Sequence, residues 1–254
     1  LYSIALRATP LIGDVNFMRL VEITGSAKET WHLSKKLLKE IPGIGSKITK
    51  EIGNEKYLKF AEKEIDFCEK NNIKINLRHL KELPKLLSNC DDAPAILYQK
   101  GSVDESLTPI SIVGTRNMTS YGKHFIEEFL EILKNKKVLI VSGLALGTDG
   151  CAHTEALKNQ LKTAGVLAHG LHLIYPSQHK KLAAEILEQD GALLTEFNSH
   201  DKPDREHFLQ RNRIVAGFSP ITIVVETAFG GGSMSTVSYA NDYNREVFAL
   251  PGKI

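Results

Sequence analysis

The sequence is poor in the residues that would tie it to an oxidising compartment, a metal or a membrane. It has three cysteines in 254 residues, Cys68, Cys90 and Cys151. They are odd in number and far apart, which excludes a disulfide framework and a cysteine-rich zinc site and fits a reduced, cytoplasmic protein. His153 and His169 have no partner histidine at i+4, so no metal is expected. No apolar run approaches the ~20 residues of a membrane-spanning helix, and the first residues do not read as a charged-then-apolar leader. Aromatics are few, at 7%. Internal repeats and low-complexity segments are absent, which excludes a solenoid. A dinucleotide fingerprint is missing too. The turn after the first long apolar run reads Gly114-Thr115-Arg116 without second and third glycines, and Ser142 stands where an acidic ribose partner belongs. A nicotinamide or flavin cofactor loses support.

What is present is an ordinary globular composition, 42% hydrophobic and 24% charged, in a chain long enough for one large α/β domain and something smaller. The formal net charge is +2, unevenly divided: residues 1–100 hold 17 Lys and Arg against 13 Asp and Glu, the remainder 15 against 17. A nucleic-acid partner would have to be held by local patches, because the α/β part has no global positive field.

The first ~65 residues carry apolar residues at helical spacing over Val15–Ile23, Ala27–Ser34 and Lys47–Glu64, punctuated by Gly13, Gly25, Gly43 and Gly45. Within them Leu37–Ile52 reads as two helical segments joined by Pro42-Gly43-Ile44-Gly45, the pattern of a helix-hairpin-helix. A plain Pro-Gly turn between helices reads the same way. Lys70–Ile75 leads into a short strand, so a boundary is expected near residues 66–72, giving a helical domain over 1–68 and an α/β domain over 69–254.

From Pro109 the pattern alternates regularly. Strands are expected at Ile110–Val113, Val138–Val141, Thr163–Leu167, Ala192–Thr195, Ile221–Val225 and Val247–Leu250. Helices are expected near Ser120–Lys134, Asp149–Lys158, Gln178–Gln189, Phe208–Ala216 and Ser233–Asn244. Such alternation indicates a Rossmann-like, mostly parallel sheet with helices on both faces, preceded here by a small all-helical, SAM-like domain. Ligands of such sheets sit at the carboxyl ends of the strands, where most of the unusual polar residues fall. Arg116 is placed to grip a phosphate or to pair a helix carboxylate. Arg205, Phe208, Arg211, Asn212 and Arg213 suit single-stranded nucleic acid, by base stacking and backbone pairing. Alternatively Phe208 is core and Arg213 pairs a carboxylate such as Glu226. The loop Gly230-Gly231-Gly232-Ser233 can wrap an anion at a helix start or serve as a simple turn. Asp149 is expected to cap the helix that begins there.

The stretches SIVGTRNMTSYG, VSGLALGTDGCAHTEAL, GVLAHGLHLIYPSQHKKL, FLQRNRIVAGFS and VVETAFGGGSMSTVSYA, closing with VFALPG, resemble in this order the DNA processing protein A (DprA/Smf) family. The resemblance covers essentially the whole chain. It implies a homodimeric, non-enzymatic protein without metal or nucleotide cofactor. Such a protein binds single-stranded DNA without strong sequence preference, protects it and loads RecA recombinase onto it in natural transformation. It implies a DNA groove using Gly114, Thr115 and Arg116, Arg205 and Phe208, a pocket of Ser142, Gly143, Arg211, Asn212 and Arg213, and the loop residues Gly232 and Ser233. The chain departs from the family pattern in Arg205 for a frequent Lys, in Gly147-Thr148-Asp149 for Gly-Ile-Asp, and in Ala168-His169-Gly170. Family members continue past Lys253-Ile254, so a trimmed or disordered end is expected. The alternative is a nucleotide-processing enzyme of the lonely-guy phosphoribohydrolase type on a related fold. Its PGGxGT-x-x-E loop is matched here only by FGGGSMSTV, without the Pro or the Glu.

Overall fold

The computed structural model describes residues 1–228 and 230–252; Phe229 of the glycine loop and the terminal Lys253 and Ile254 lie outside the described residues. The chain divides into two compact units, Leu1–Leu83 with Asp91–Leu97, and Pro84–Cys90 with Tyr98 onward.

The first unit contains α1 (Tyr2–Arg7), α2 (Asp14–Thr24), α3 (Ala27–His32), α4 (Lys35–Glu40), α5 (Ser46–Glu51), α6 (Glu55–Lys70) and β1 (Ile73–Leu77). Side-chain caps set several starts. Ser26 caps α3 by accepting from the Glu29 N–H at 3.1 Å, and its hydroxyl donates to the Glu29 carboxylate at 3.1 Å. The helix expected over Lys47–Glu64 is two helices. Gly53, at φ +83°, leaves the helical region and Asn54 caps the new start by accepting from Lys56 N–H at 3.1 Å. The core of this unit is built on Leu6, Phe17, Leu20, Leu38 and Ile52. The single tryptophan, Trp31, belongs to it at 5% exposure, its ring 6.4 Å from that of Tyr2. The unit runs past the boundary expected near residues 66–72. β1 is retained by backbone pairing within the unit, where Asn76 also donates to the Leu97 carbonyl at 3.2 Å and Arg78 N–H to that of Ala95 at 3.0 Å.

In the second unit, after the short α7 (Lys85–Ser88), come β2 (Ile96–Gly101, entered from the first unit), β3 (Thr108–Gly114), α8 (Ser120–Ile132), β4 (Val138–Ser142), α9 (Thr148–Lys158), β5 (Lys162–Val166), α10 (Lys180–Glu188), β6 (Ala192–Thr195), α11 (Arg205–Phe218), β7 (Ile221–Val225), α12 (Ser233–Asp242) and β8 (Glu246–Ala249). The strands lie in the order β2-β6-β5-β4-β3-β7-β8. Only the β2–β6 pair is antiparallel. The central strands are β-branched runs because both their faces are covered. Ile110 and Ile112 of β3 pack in one core with Ile126 and Leu130 of α8 and Ala152 and Ala156 of α9. Ser111 points the other way, donating to the Val215 carbonyl of α11 at 2.7 Å. This is the doubly covered, mostly parallel α/β sheet. The chain winds outward from β3 through β4 and β5 to β6, and α11 then carries it back to β7 on the other side of β3. That reversal opens a crevice at the carboxyl ends of β3, β4 and β7.

No helix among the described residues is long and apolar enough to cross a membrane. Among them no group of three or more His, Cys, Asp or Glu is arranged to hold a metal ion.

Candidate functional site

The crevice is a cavity of about 830 Å³ lined by the turn after β3, the start of α9, the exposed face of α11 and the Gly230–Ser233 loop. Its floor is shaped by glycines that nothing larger replaces. A Cβ on Gly114 would lie 1.9 Å from the Val225 carbonyl oxygen. Gly147, at φ +76°, seats the start of α9 against the turn after β3, where a Cβ would lie 2.4 Å from the Thr115 carbonyl oxygen. The following Thr148 donates to that carbonyl from both its N–H and its hydroxyl, each at 3.1 Å.

Two backbone amides of the turn after β3 are spent within the protein. The Thr115 N–H is spent on the Glu226 carbonyl at 2.7 Å, and the Asn117 N–H on the Thr115 hydroxyl at 3.1 Å. The Ser142 hydroxyl donates to the Ile112 carbonyl at 2.6 Å and is fully buried. Gly143 is buried beneath Arg211: a Cβ there would fall 1.6 Å from Nη1 of its guanidinium. Gly143 therefore forms the seat of Arg211, and neither Ser142 nor Gly143 is among the residues lining the cavity. What the first turn offers a ligand is the exposed Arg116 side chain.

Helix α11 carries the other half. Asp204 caps it by accepting from the Glu206 N–H at 2.8 Å, so the helix starts at Arg205, three residues before the expected Phe208. Arg205, Phe208 and Asn212 then follow one another at i, i+3 and i+7, on one face toward the cavity. Phe208 is half-buried. Its ring lies 5.2 Å from the Arg116 guanidinium, 6.0 Å from that of Arg211 and 6.0 Å from the ring of Tyr175. Arg211 and Arg213, two residues apart, point about 200° away from each other around the helix. Arg211 lines the cavity floor. Arg213 faces the core, 5% exposed, in an ion pair with Glu196 just past β6. The pairing of Arg213 with a carboxylate holds, but the partner is Glu196, not Glu226, and Arg213 is not among the residues lining the cavity. Glu226 instead accepts from the Thr119 N–H at 2.8 Å.

The family model for DNA recombination-mediator protein A matches residues 74–254. The chain belongs to that family. Among curated proteins it is 34% identical to Protein Smf of Synechocystis over 98% of this chain and 64% of that protein. It is 39% identical to the DNA processing protein DprA of Bacillus subtilis over 68% of this chain and 59% of that one. The chain thus spans about three fifths of the length of these relatives. Among solved structures it resembles DNA processing protein A from Streptococcus pneumoniae, with a TM-score of 0.81 at 28% identity over 98% of this chain and 86% of that one. It also resembles DNA processing protein A from Helicobacter pylori, a structure described for its single-stranded DNA binding mode, with a TM-score of 0.65 at 31% identity over 72% of this chain and 82% of that one.

In this member of the DNA recombination-mediator protein A family the departing residues have defined places. Thr148 ties the start of α9 to the β3 turn. His169 is buried, donates from Nδ1 to the Gly170 carbonyl at 2.9 Å and accepts from the Tyr175 N–H at 3.3 Å; burial lowers its pKa. Asp149 is not the cap of α9, which is Gly147. Its carboxylate is buried in the first turn and accepts from the Ala145 N–H at 3.3 Å. Burial pushes its pKa up, against the opposing charge of Arg211. Burial likewise pushes the Arg211 guanidinium down, with Asp149 opposing. Asp149 and Arg211 are thus both buried at the cavity floor, each opposing the effect of burial on the other. Asn212 donates to the Gly232 carbonyl at 3.1 Å and the Ser235 hydroxyl at 2.8 Å, holding the loop that starts α12. The Ser233 hydroxyl is bound to that of Thr227 at 2.6 Å, while Gly232 is exposed as the N-cap. The cavity also takes in Tyr175 and Lys202, which pattern reading did not single out. Both sit in irregular segments where no periodicity points them anywhere.

Proposed function

We propose that this chain binds single-stranded DNA in the crevice at the carboxyl ends of β3, β4 and β7. The observation that carries this reading is the Phe208 ring flanked by two guanidinium groups. A half-buried ring reaches the face of a base only when that base is unstacked, which favours a single strand over a duplex. Every base has such a face, so sequence preference is weak. Arg116 and Arg205 at the rim supply phosphate contacts, and the start of α12 adds the positive end of a helix dipole. The described single-stranded DNA binding mode of the Helicobacter pylori relative supports the same class of ligand.

By the same reading the protein acts as a homodimer that protects the strand and passes it to RecA, and it is not an enzyme. Thr236, three residues past Ser233, stands where the phosphoribohydrolase loop carries its Glu, and a threonine hydroxyl does not serve as an acid or base near neutral pH. The α4–turn–α5 segment is read as helix-hairpin-helix-like, with Lys47 and Lys50 exposed beside it.

Titration with labelled oligo-dT tests this. Four phosphate contacts give a log–log salt slope near about −3, so affinity falls roughly fifty-fold between 50 and 200 mM salt. Arg116→Ala and Arg205→Ala each weaken binding to all sequences alike and flatten that slope by about 0.7. Absence of binding at low salt, or an affinity indifferent to salt, overturns the reading. Release of free base from nucleoside monophosphates would instead favour the hydrolase. Sedimentation tests the dimer, and RecA assembly on strands coated with single-strand-binding protein, with and without this chain, tests the transfer.

A further inference from the structure

A second cavity, of about 540 Å³, adjoins the first and shares Tyr175 and Pro203 with it. Tyr175 forms the ridge between them. Tyr175 is 47% exposed, and Leu146, which lines the same hollow, is 43% exposed. Large hydrophobic side chains left open in this way on a ridge between two hollows present flat apolar surface to whatever runs across it. The backbone of Tyr175 is fixed from behind by the buried His169, so the ring projects from a held position. Lys180, the first residue of α10, lines the far side of the second cavity, and no carboxylate lines it among the described residues.

The two rings are spaced for a single strand. Their centroids are 6.0 Å apart and their planes tilted by 57°. Consecutive bases in a stacked strand rise by about 3.4 Å. Bases resting one on each ring are therefore pulled out of mutual stacking, each with an aromatic partner of its own.

We propose that the strand track does not end at Phe208 but runs on over Tyr175 into the second cavity. There Tyr175 stacks one further base and Lys180 takes its phosphate. This rests on the reading of the first cavity as a single-strand site and extends its footprint. The path is continuous because Pro203 and Tyr175 border both hollows, with Lys202 next to Pro203 on the first.

The test uses the whole chain and oligo-dT carrying 5-iodouracil, whose photo-crosslinks map to stacked aromatic residues. Crosslinks are expected on peptides containing Tyr175 as well as Phe208. Tyr175→Ala weakens binding about five-fold or more, the low end for loss of one base-stacking partner, while Tyr175→Phe keeps wild-type affinity. Lys180→Ala flattens the log–log salt slope by about 0.7. Thermal unfolding of each variant at the wild-type midpoint establishes that the fold is intact. If Arg116→Ala weakens binding but Tyr175→Ala and Lys180→Ala do not, and Tyr175 takes no crosslink, the track stops at Phe208 and the extension is refuted alone. If the wild-type chain binds no oligo-dT at low salt, the single-strand reading of the first cavity falls with it.

Discussion

Arg213 is held in the core by an ion pair with Glu196. Replacing it by methionine removes the cation from a pair whose side chains are 6% and 3% exposed. The same pair at the surface would be worth ~0–1 kcal/mol. Here Glu196 stays in the core with its charge unmatched, and the cost of breaking a buried pair from one side is about 3–5 kcal/mol. For a unit of this size, that corresponds to a fall in unfolding midpoint of about 6–20 °C. The double variant Arg213→Met/Glu196→Leu removes both charges and recovers most of the loss, since a buried pair and an apolar replacement are close in free energy. Urea unfolding followed by circular dichroism at pH 7 gives the stabilities. Oligo-dT titration well below the midpoint gives the affinity, which changes by less than about two-fold because Arg213 reaches no ligand surface. A variant as stable as wild type but with strand binding reduced ten-fold or more would refute the assignment and return Arg213 to the groove.

The buried His153 makes stability depend on pH. Its Nδ1 is bonded to the Thr163 hydroxyl at 2.7 Å, its Nε2 has no hydrogen-bond partner among the described residues, and burial lowers its pKa from 6.5 to about 3. The unfolded chain takes up the proton first, so the contribution is intact above pH 6.5 and is lost as pH falls toward 3. Across that window wild type loses stability relative to His153→Asn at about 1.4 kcal/mol per pH unit, measurable by denaturant unfolding at pH 7, 6, 5 and 4; parallel curves for the two proteins would rule this out. Gly114→Ala forces a methyl into the Val225 carbonyl and destabilises the second unit by about 3 kcal/mol or more, read as a lower urea midpoint. A midpoint equal to wild type would show that the β3–β7 contact yields easily.

The sheet was legible because its strands are covered on both faces and so appear as short, mostly apolar runs, Ile221–Val225 and Ala192–Thr195 matching residue for residue. Fine placement depended on signals that periodicity does not carry. The start of α11 was set by the Asp204 cap, and only that start brings Arg205 and Phe208 into helical phase. The Arg-Asn-Arg run looked like one patch, yet helix phase sends its two arginines to a cavity floor and a core ion pair. Ser142 and Gly143 stand at a strand end, where ligands gather, but Gly143 serves there as a seat for Arg211 and the Ser142 hydroxyl is spent on the Ile112 carbonyl. Tyr175 lies in an irregular segment, and only the three-dimensional fold brings it beside Phe208.

The location of Trp31 gives the molecule a built-in reporter. It is the single tryptophan of the chain and is buried inside the first unit, at 5% exposure. Intrinsic fluorescence excited at the red edge of tyrosine absorption therefore follows the opening of the helical unit alone, whereas far-ultraviolet dichroism follows helices from both. Denaturation curves from the two signals superimpose only when both units open in one cooperative step. A fluorescence curve displaced from the dichroism curve measures directly how far the helical unit can open on its own, without any label or truncation.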